Sequence, residues 1–134
     1  MPISVARDVP GMAFKHGSAI LLARVVDAHG ANLTRDAISS VRYTVSELDA
    51  ANADAATPVP GHTDVALATD DVLFDTLQLD DLWDADVIGY NFRHIVDVST
   101  HQAFAHAGLF YRVTHELTPT SGQVILVRFK LKVI

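Results

Sequence analysis

The chain of 134 residues contains no cysteine. This absence excludes disulfide bonds, thiolate zinc sites, iron–sulfur clusters and cysteine nucleophiles. A chain of this length can nevertheless build one hydrophobic core without covalent cross-links. Because 49% of the residues are hydrophobic and 19% are charged, the composition is typical of a packed globular protein. We therefore expect a single domain over residues 1–134.

Long hydrophobic runs are also missing. The longest uninterrupted one, Ala19–Ala23, is far too short to cross a bilayer. The first residues lack the apolar centre of a signal peptide. We therefore expect no membrane association, and a protein that is made in the cytoplasm and leaves the cell, where it does so, without the secretory route.

Positive charge is scarce, since 10 Lys and Arg stand against 16 Asp and Glu and the formal net charge is −6. Nucleic-acid binding requires clustered Lys and Arg, so a nucleic-acid partner is not expected. Only Arg128, Lys130 and Lys132 stand close together. Conversely, the stretch Asp70–Asp86 holds seven aspartates and no Lys or Arg. It lacks a calcium-binding loop pattern, and we interpret it as a solvated acidic rim that could meet the basic residues of a second copy.

Alternation of apolar and polar residues is the dominant pattern in the chain, and it predicts β-strands. The five main predicted strands are Ser18–Asp27, Val41–Leu48, Tyr90–Ser99, Phe110–Leu117 and Gln123–Val133, with shorter pieces at Val65–Leu67 and Val72–Phe74. Gly, Pro, Asp and Ser punctuate the intervals. We predict an all-β fold, an immunoglobulin-like β-sandwich of about seven strands. A jelly roll or a small barrel is the alternative.

The faces of individual segments can be predicted as well. In the last strand, the inward residues are Ile125, Val127, Phe129, Leu131 and Val133, and the outward basic residues are Arg128, Lys130 and Lys132. A short helical turn is predicted to pack Leu79, Leu82 and Trp83 against the core. The interval Asp49–Asp64 is predicted to be a surface loop.

Residues 1–17 show no alternation and are predicted to form an extended N-terminal arm. We expect a neighbouring subunit to hold this arm, with Met12 and Phe14 as apolar anchors. Its removal up to His16 is expected to leave the domain folded. The predicted partner-binding residues are Met12, Phe14, Arg128, Lys130 and Lys132.

Catalytic signatures are absent from the sequence. The seven histidines are His16, His29, His62, His94, His101, His106 and His115. No spacing among them matches a common metal-ligand pattern, and there is no Gly-x-Ser-x-Gly elbow or phosphate-binding loop. We predict no catalytic, metal or cofactor residues and no enzyme activity. A pocket that gathered His62, His94, His101 or His106 would favour a small metal-dependent enzyme instead.

Two stretches carry a family resemblance: Gly17–Leu33, which contains "RVVDAHGANL", and Tyr111–Gly122, "YRVTHELTPTSG", followed by the basic and apolar final strand Gln123–Val133. They resemble small immunoglobulin-like proteins of phage and prophage structural gene clusters, and the layout is similar to the N-terminal domain of baseplate upper proteins. The resemblance implies a virion protein assembled in the host cytoplasm. It would be a capsid decoration or cement protein, or a head or tail accessory protein, that docks as a homo-oligomer on other virion proteins. A carbohydrate- or peptide-binding module, which a cluster of surface aromatics would favour, is the alternative.

Overall fold

The computed structural model describes residues 8–27, 29–52 and 55–134. In this part of the chain the strands are β1 (Asp8–Ala13), β2 (Ile20–Ala23), β3 (Ile38–Leu48), β4 (Ala56–Pro58), β5 (Val65–Leu67), β6 (Leu73–Gln78), β7 (Tyr90–Ile95), β8 (Phe110–Pro119) and β9 (Ile125–Val133). The helical elements are a 3₁₀ turn at Arg35–Ala37 and one α-helical turn, α1, at Thr69–Val72.

The strands form two sheets. The large sheet has the order β1-β9-β8-β3-β4, with β5 also paired to β3, and the small sheet has the order β2-β7-β6. All pairs are antiparallel except β1 with β9. The orders β9-β8-β3 and β2-β7-β6 match the two sheets of an immunoglobulin-type sandwich. The predicted all-β sandwich is confirmed, with nine strands in the described residues in place of about seven.

The sheets enclose one core of inward-facing side chains, and Tyr111 connects this core to the loop before β8. Its ring is fully buried, and its hydroxyl accepts a hydrogen bond from the backbone N–H of His106 at 3.0 Å. Such a bond from a tyrosine at the start of this strand to the backbone just upstream is a feature of immunoglobulin-like domains. Val113, two residues later, is also fully buried and stands where antibody domains carry a cysteine.

The face assignment of the last strand is confirmed. Val127, Phe129, Leu131 and Val133 are buried, and Ile125 is partly buried. The residues between them point outward: Lys132 is exposed, while Arg128 and Lys130 are half-buried. Removing one of the inward side chains would therefore open a cavity between the two sheets.

The N-terminal arm is the first point at which the prediction was wrong. Residues 8–13 form β1, which pairs in parallel with β9 of the same chain, and the pairing continues where the Lys15 N–H donates to the Ile134 carbonyl at 2.9 Å. Pro10 and Gly11 interrupt any alternation in this segment. Its partner also lies more than a hundred residues away, so local pattern does not reveal it. The chain itself, rather than a neighbouring subunit, holds this part of the arm, and residues 1–7 of the predicted arm lie outside the described residues.

The predicted packing of Leu79, Leu82 and Trp83 on the core was also wrong. Leu79 is 57% exposed and Leu82 is 52% exposed, while Trp83 is only half-buried. Aspartate side chains bond to the local backbone here: Asp80 accepts from the Leu82 N–H, and Asp86 accepts from the N–H groups of the residues that precede β7. Such bonds stabilise turns in place of a helix.

Three predicted strand or loop boundaries are corrected as well. The strand expected at Ser18–Asp27 is shorter, since β2 spans only Ile20–Ala23. The strand expected at Tyr90–Ser99 ends at Ile95. The predicted loop Asp49–Asp64 contains the short strand β4, which pairs with the end of β3. Since these strands end where side chains begin to bond to the backbone, as Asp97 does with the Ser99 N–H, alternation alone overestimates their length.

Candidate docking surface and histidine pocket

Four basic residues of β8 and β9 share the outer face of the large sheet. In β8 and β9, every second side chain enters the core, so the intervening residues share the outer face. The register places Arg112 opposite Lys130 and Phe110 opposite Lys132. We call Arg112, Arg128, Lys130 and Lys132 the basic strip. These four residues belong to a chain with only ten Lys and Arg.

Exposed apolar side chains lie beside the basic strip. Met12 of β1 is opposite Lys132 in the parallel register and is 68% exposed. The Lys130 ammonium lies 5.0 Å from the centroid of the Phe110 ring, and Leu126 is also exposed. Positive charge and apolar area are therefore combined on one face.

Four of the five predicted partner-binding residues thus meet on this face: Met12, Arg128, Lys130 and Lys132. The fifth, Phe14, is exposed one residue beyond the end of β1, in the turn closed by the Gly17 N–H and the Phe14 carbonyl. Sequence reasoning missed Arg112 and Phe110. The alternation of β8, with Tyr111 and Val113 inward, was the signal that would have identified them.

A groove opens between β1 and β2, which are terminal strands of different sheets. We call it the edge groove. It has a volume of about 420 Å³ and reaches core residues of β9. Its walls include Met12 from β1, Ile20 and Leu22 from β2, and Leu82 and Asp84 from the loop after β6. The edge groove therefore lies between Met12, which is beside the basic strip, and the loop after β6.

The loop formed by residues 79–89 is acidic and apolar, and we call it the acidic loop. Its aspartates are Asp80, Asp81, Asp84 and Asp86, and its most exposed apolar residues are Leu79, Leu82, Val87 and Ile88. Asp86 anchors it: hydrogen bonds from the Trp83 indole, the Gly89 N–H and Arg24 hold the pKa of the Asp86 carboxyl far below its usual range. This internal bonding gives the loop a defined shape.

The second region is a pocket of about 440 Å³, the histidine pocket, which lies between β3, α1, the end of β7 and the loops before β5 and after β7. His62, His94 and His101 line it together with Tyr43. Gly61 is required here because its φ is +83° and a Cβ on it would lie 2.3 Å from the His101 ring. Such a convergence is the feature that favours the enzyme alternative.

Hydrogen bonds determine the tautomer of the neutral His62 ring. Its Nε2 lies 2.7 Å from the His101 carbonyl, and its Nδ1 lies 2.8 Å from the Tyr43 hydroxyl. A carbonyl only accepts, so Nε2 carries a proton, and Nδ1 accepts from the hydroxyl. Burial, followed by the charge of Asp97, raises the pKa of Tyr43. The hydroxyl therefore keeps the proton that it donates.

His94 and His115 form a hydrogen bond between the two sheets, since His94 is on β7 and His115 is on β8. The His94 Nδ1 and the His115 Nε2 are 2.8 Å apart, and both residues are buried. Burial, followed by the charge of a neighbouring imidazole, lowers the pKa of His94 to about 4 and that of His115 to about 3. Both rings are consequently neutral at pH 7, and one nitrogen of the pair donates to the other.

A second group of hydrogen-bonded side chains surrounds the Tyr111 hydroxyl, in an adjoining pocket of about 500 Å³. Glu47 Oε2 accepts from the Tyr111 hydroxyl at 2.7 Å and lies 2.8 Å from the His106 Nδ1. Hydrogen bonds from Tyr111 and His106 lower the pKa of Glu47, while burial, together with Glu47, raises the pKa of Tyr111 to about 12. The arrangement ties β3 and β8 to the loop that precedes β8.

The histidines that converge in the structure were scattered in the sequence. His94 and His115 occupied inward positions of predicted strands, which was the available signal that they are buried together. His62 and His101 come from loops, whose approach no local pattern reveals. Over residues 8–27, 29–52 and 55–134, no group of three or more His, Asp or Glu residues is placed to hold a metal ion.

The fold and these two regions define the chain as an all-β sandwich with a mixed basic and apolar outer face. Comparison with protein-family models, curated proteins and solved structures finds no match to this chain. None of the helices in the described ranges is long and apolar enough to span a membrane.

Proposed function

We propose that this chain is a non-enzymatic virion structural protein that docks on repeated neighbouring subunits, as a capsid decoration or cement protein or a head or tail accessory protein. The observation that carries the docking role is the exposure of Met12 and Phe110 beside the basic strip. The virion assignment is supported by the resemblance of residues 17–33 and 111–133 to phage immunoglobulin-like proteins.

The chemistry of this face suits docking. Met and aromatic side chains offer large contact areas and are common at the centres of interfaces. Lys130 and Lys132 would orient the approach to an acidic partner and accelerate association at low salt. A particle presents many copies of the same partner site, so even a modest contact can give dense decoration at sufficient protein concentration.

The test uses particles assembled without this chain, to which purified protein is added before sedimentation. The variant Met12→Asp places a charge in the apolar centre of the face and is expected to abolish co-sedimentation. Val124→Asp makes the same kind of change at a residue that is 51% exposed just before β9, and it is the matched control that should still bind.

The two possible failures of this test are distinct. We call the outer face that carries Met12, Phe110, Leu126 and the basic strip the docking face. If Met12→Asp sediments with the particles as well as the unchanged protein does, docking is wrongly assigned to this face. If the unchanged protein is found in no particle, the virion function is wrong. Deleting residues 1–16 is a poor test, contrary to the sequence-based expectation, because it removes β1 and uncovers the paired edge of β9.

A second candidate function, a module that binds a small carbohydrate or peptide, is favoured by one observation. His94 lines the histidine pocket, and among the described residues no group forms a hydrogen bond with its Nε2. Nitrogen-15 NMR of the imidazole rings, recorded while a panel of monosaccharides and short peptides is added, tests this function. Shifts at His62 and His94 without shifts at His29 would support it, and no shift with any compound would contradict it.

A further inference from the structure

We infer that this chain pairs with a second copy of itself about a two-fold axis that passes close to Met12. The inference rests on the proposed docking function and names its first partner. The observation that supports it is the order of basic, apolar and acidic side chains across the edge of the sandwich.

Three kinds of surface follow one another at this edge. Lys132 of the basic strip is the register partner of Met12. Met12 in turn shares the walls of the edge groove with Leu82 and Asp84 of the acidic loop. Positive charge, apolar area and negative charge therefore lie side by side, in that order.

Such an order is self-complementary. In a two-fold interface, the same patch of both copies meets itself in reversed orientation. The apolar centres then cover each other, and the basic end of each copy meets the acidic end of its partner. Two Lys132–Asp84 contacts result from one symmetry operation. Opposite charges so placed determine orientation and exclude wrong partners.

The side chains that this arrangement uses are available. Lys132 and Asp84 are exposed, and neither has a hydrogen-bond or ion-pair partner among the described residues. In contrast, Asp86 of the same loop is already bonded to Arg24 and Trp83. Met12 is 68% exposed and Leu82 is 52% exposed. Adjacent large apolar residues exposed to this degree typically mark an interaction surface.

The contact is formed by side chains and not by addition of strand to strand. Pro10 lies in the middle of β1 and has no N–H group to donate. Proline on a terminal strand is one of the devices that prevent two sheets from joining edge to edge. The apolar side chains flanking the edge groove remain free to pack on a partner.

Sedimentation equilibrium of the full chain, over a concentration series at low salt, tests the inference. The unchanged chain is expected to form dimers that weaken as salt is added. Lys132→Glu and Asp84→Lys should each weaken self-association roughly tenfold, because each turns two attractive contacts into two repulsive ones. An equimolar mixture of these two variants should restore dimerisation, since both charge contacts are attractive only in the mixed dimer.

Asp71→Lys supplies the control for this mixing experiment. It makes the same charge change on α1, at an exposed residue that lines the histidine pocket and not the edge groove. It should dimerise normally and should not rescue Lys132→Glu. A chain that is monomeric at every concentration, or a mixture of Lys132→Glu and Asp84→Lys that stays monomeric, would overturn the inference. Particle binding by a monomeric chain would at the same time leave the proposed docking function intact.

Discussion

The histidine pocket and the docking face reverse the usual distribution of side chains in opposite ways. The pocket buries polar rings, and the face exposes Met12, Phe110 and Leu126. The buried rings hydrogen-bond to one another and to Tyr43, which partly compensates their burial inside the domain, whereas the His115 Nδ1 has no hydrogen-bond partner among the described residues. The exposed apolar groups have no such compensation. The pocket therefore contributes to the stability of the sandwich, whereas the face is suited to binding.

Substitutions and pH changes separate these two roles. Changes in the core or in its buried histidines should lower the free energy of unfolding, and changes on the docking face should leave it nearly unaltered.

Phe129→Ala should destabilise the domain most, by roughly 3–5 kcal/mol, because it removes a buried ring and leaves a cavity between the sheets. Phe129 is 3% exposed and stacks with Phe92 of the opposite sheet, with ring centroids 6.3 Å apart. Urea unfolding followed by circular dichroism measures the loss. A stability equal to that of the unchanged protein would mean that the inward face of β9 is wrongly assigned.

Acid should destabilise the domain through His94 and His115. Because their pKa values in the folded state, about 4 and about 3, lie below the unfolded value of about 6.5, the folded state binds fewer protons. Their contribution is therefore complete above pH 6.5 and is lost as the pH falls towards 4. At pH 5, each histidine should have lowered the free energy of unfolding by about 2 kcal/mol relative to its value above pH 6.5.

Urea titrations between pH 7 and pH 4 measure this dependence. A His94→Gln/His115→Gln double variant should show a flatter profile than the unchanged protein. Equal slopes for the double variant and the unchanged protein would exclude the buried pair as the source of acid sensitivity.

Tyr111→Phe should cost about 1–3 kcal/mol, because the backbone N–H of His106 and the Glu47 carboxylate both lose a buried partner. Thermal unfolding measures this cost. Val113→Ala in the same strand removes buried methyl groups and leaves these hydrogen bonds in place, so it measures the cost of lost packing alone. A Tyr111→Phe variant as stable as the unchanged protein would show that the hydroxyl bonds are not needed to hold the loop before β8.

Lys130→Ala should change stability by less than about 0.5 kcal/mol, as is usual for surface positions. Its ammonium lies 5.0 Å from the centroid of the Phe110 ring on the outer face. The same variant should nevertheless weaken particle binding, so stability and binding are to be measured on one preparation. A stability loss comparable to that of Phe129→Ala would mean that the basic strip belongs to the core.

Much of the architecture could be predicted because alternation is a local property. The inward positions of β8 and β9 are evident from Tyr111, Val113, Phe129 and Leu131, since successive side chains of a strand point to opposite faces. Two long strands of this kind must bury their apolar face against a second layer, and because no long run of the sequence has a helical period, that layer is expected to be another sheet. The three basic residues of β9 were assigned outward for the same reason.

Tertiary structure alone decided the rest. Strand β1 exists because β9, far along the chain, offers a free edge, and Pro10 and Gly11 hide it from any periodic pattern. Whether Trp83 packs inside or outside depends on aspartates that bond to the nearby backbone. His62 bonds to Tyr43, and Asp84 lines the edge groove with Met12, only because in each case a loop lies beside a strand from another part of the chain. Periodicity predicts which way a strand faces, but contacts between distant segments depend on how the two sheets pack together.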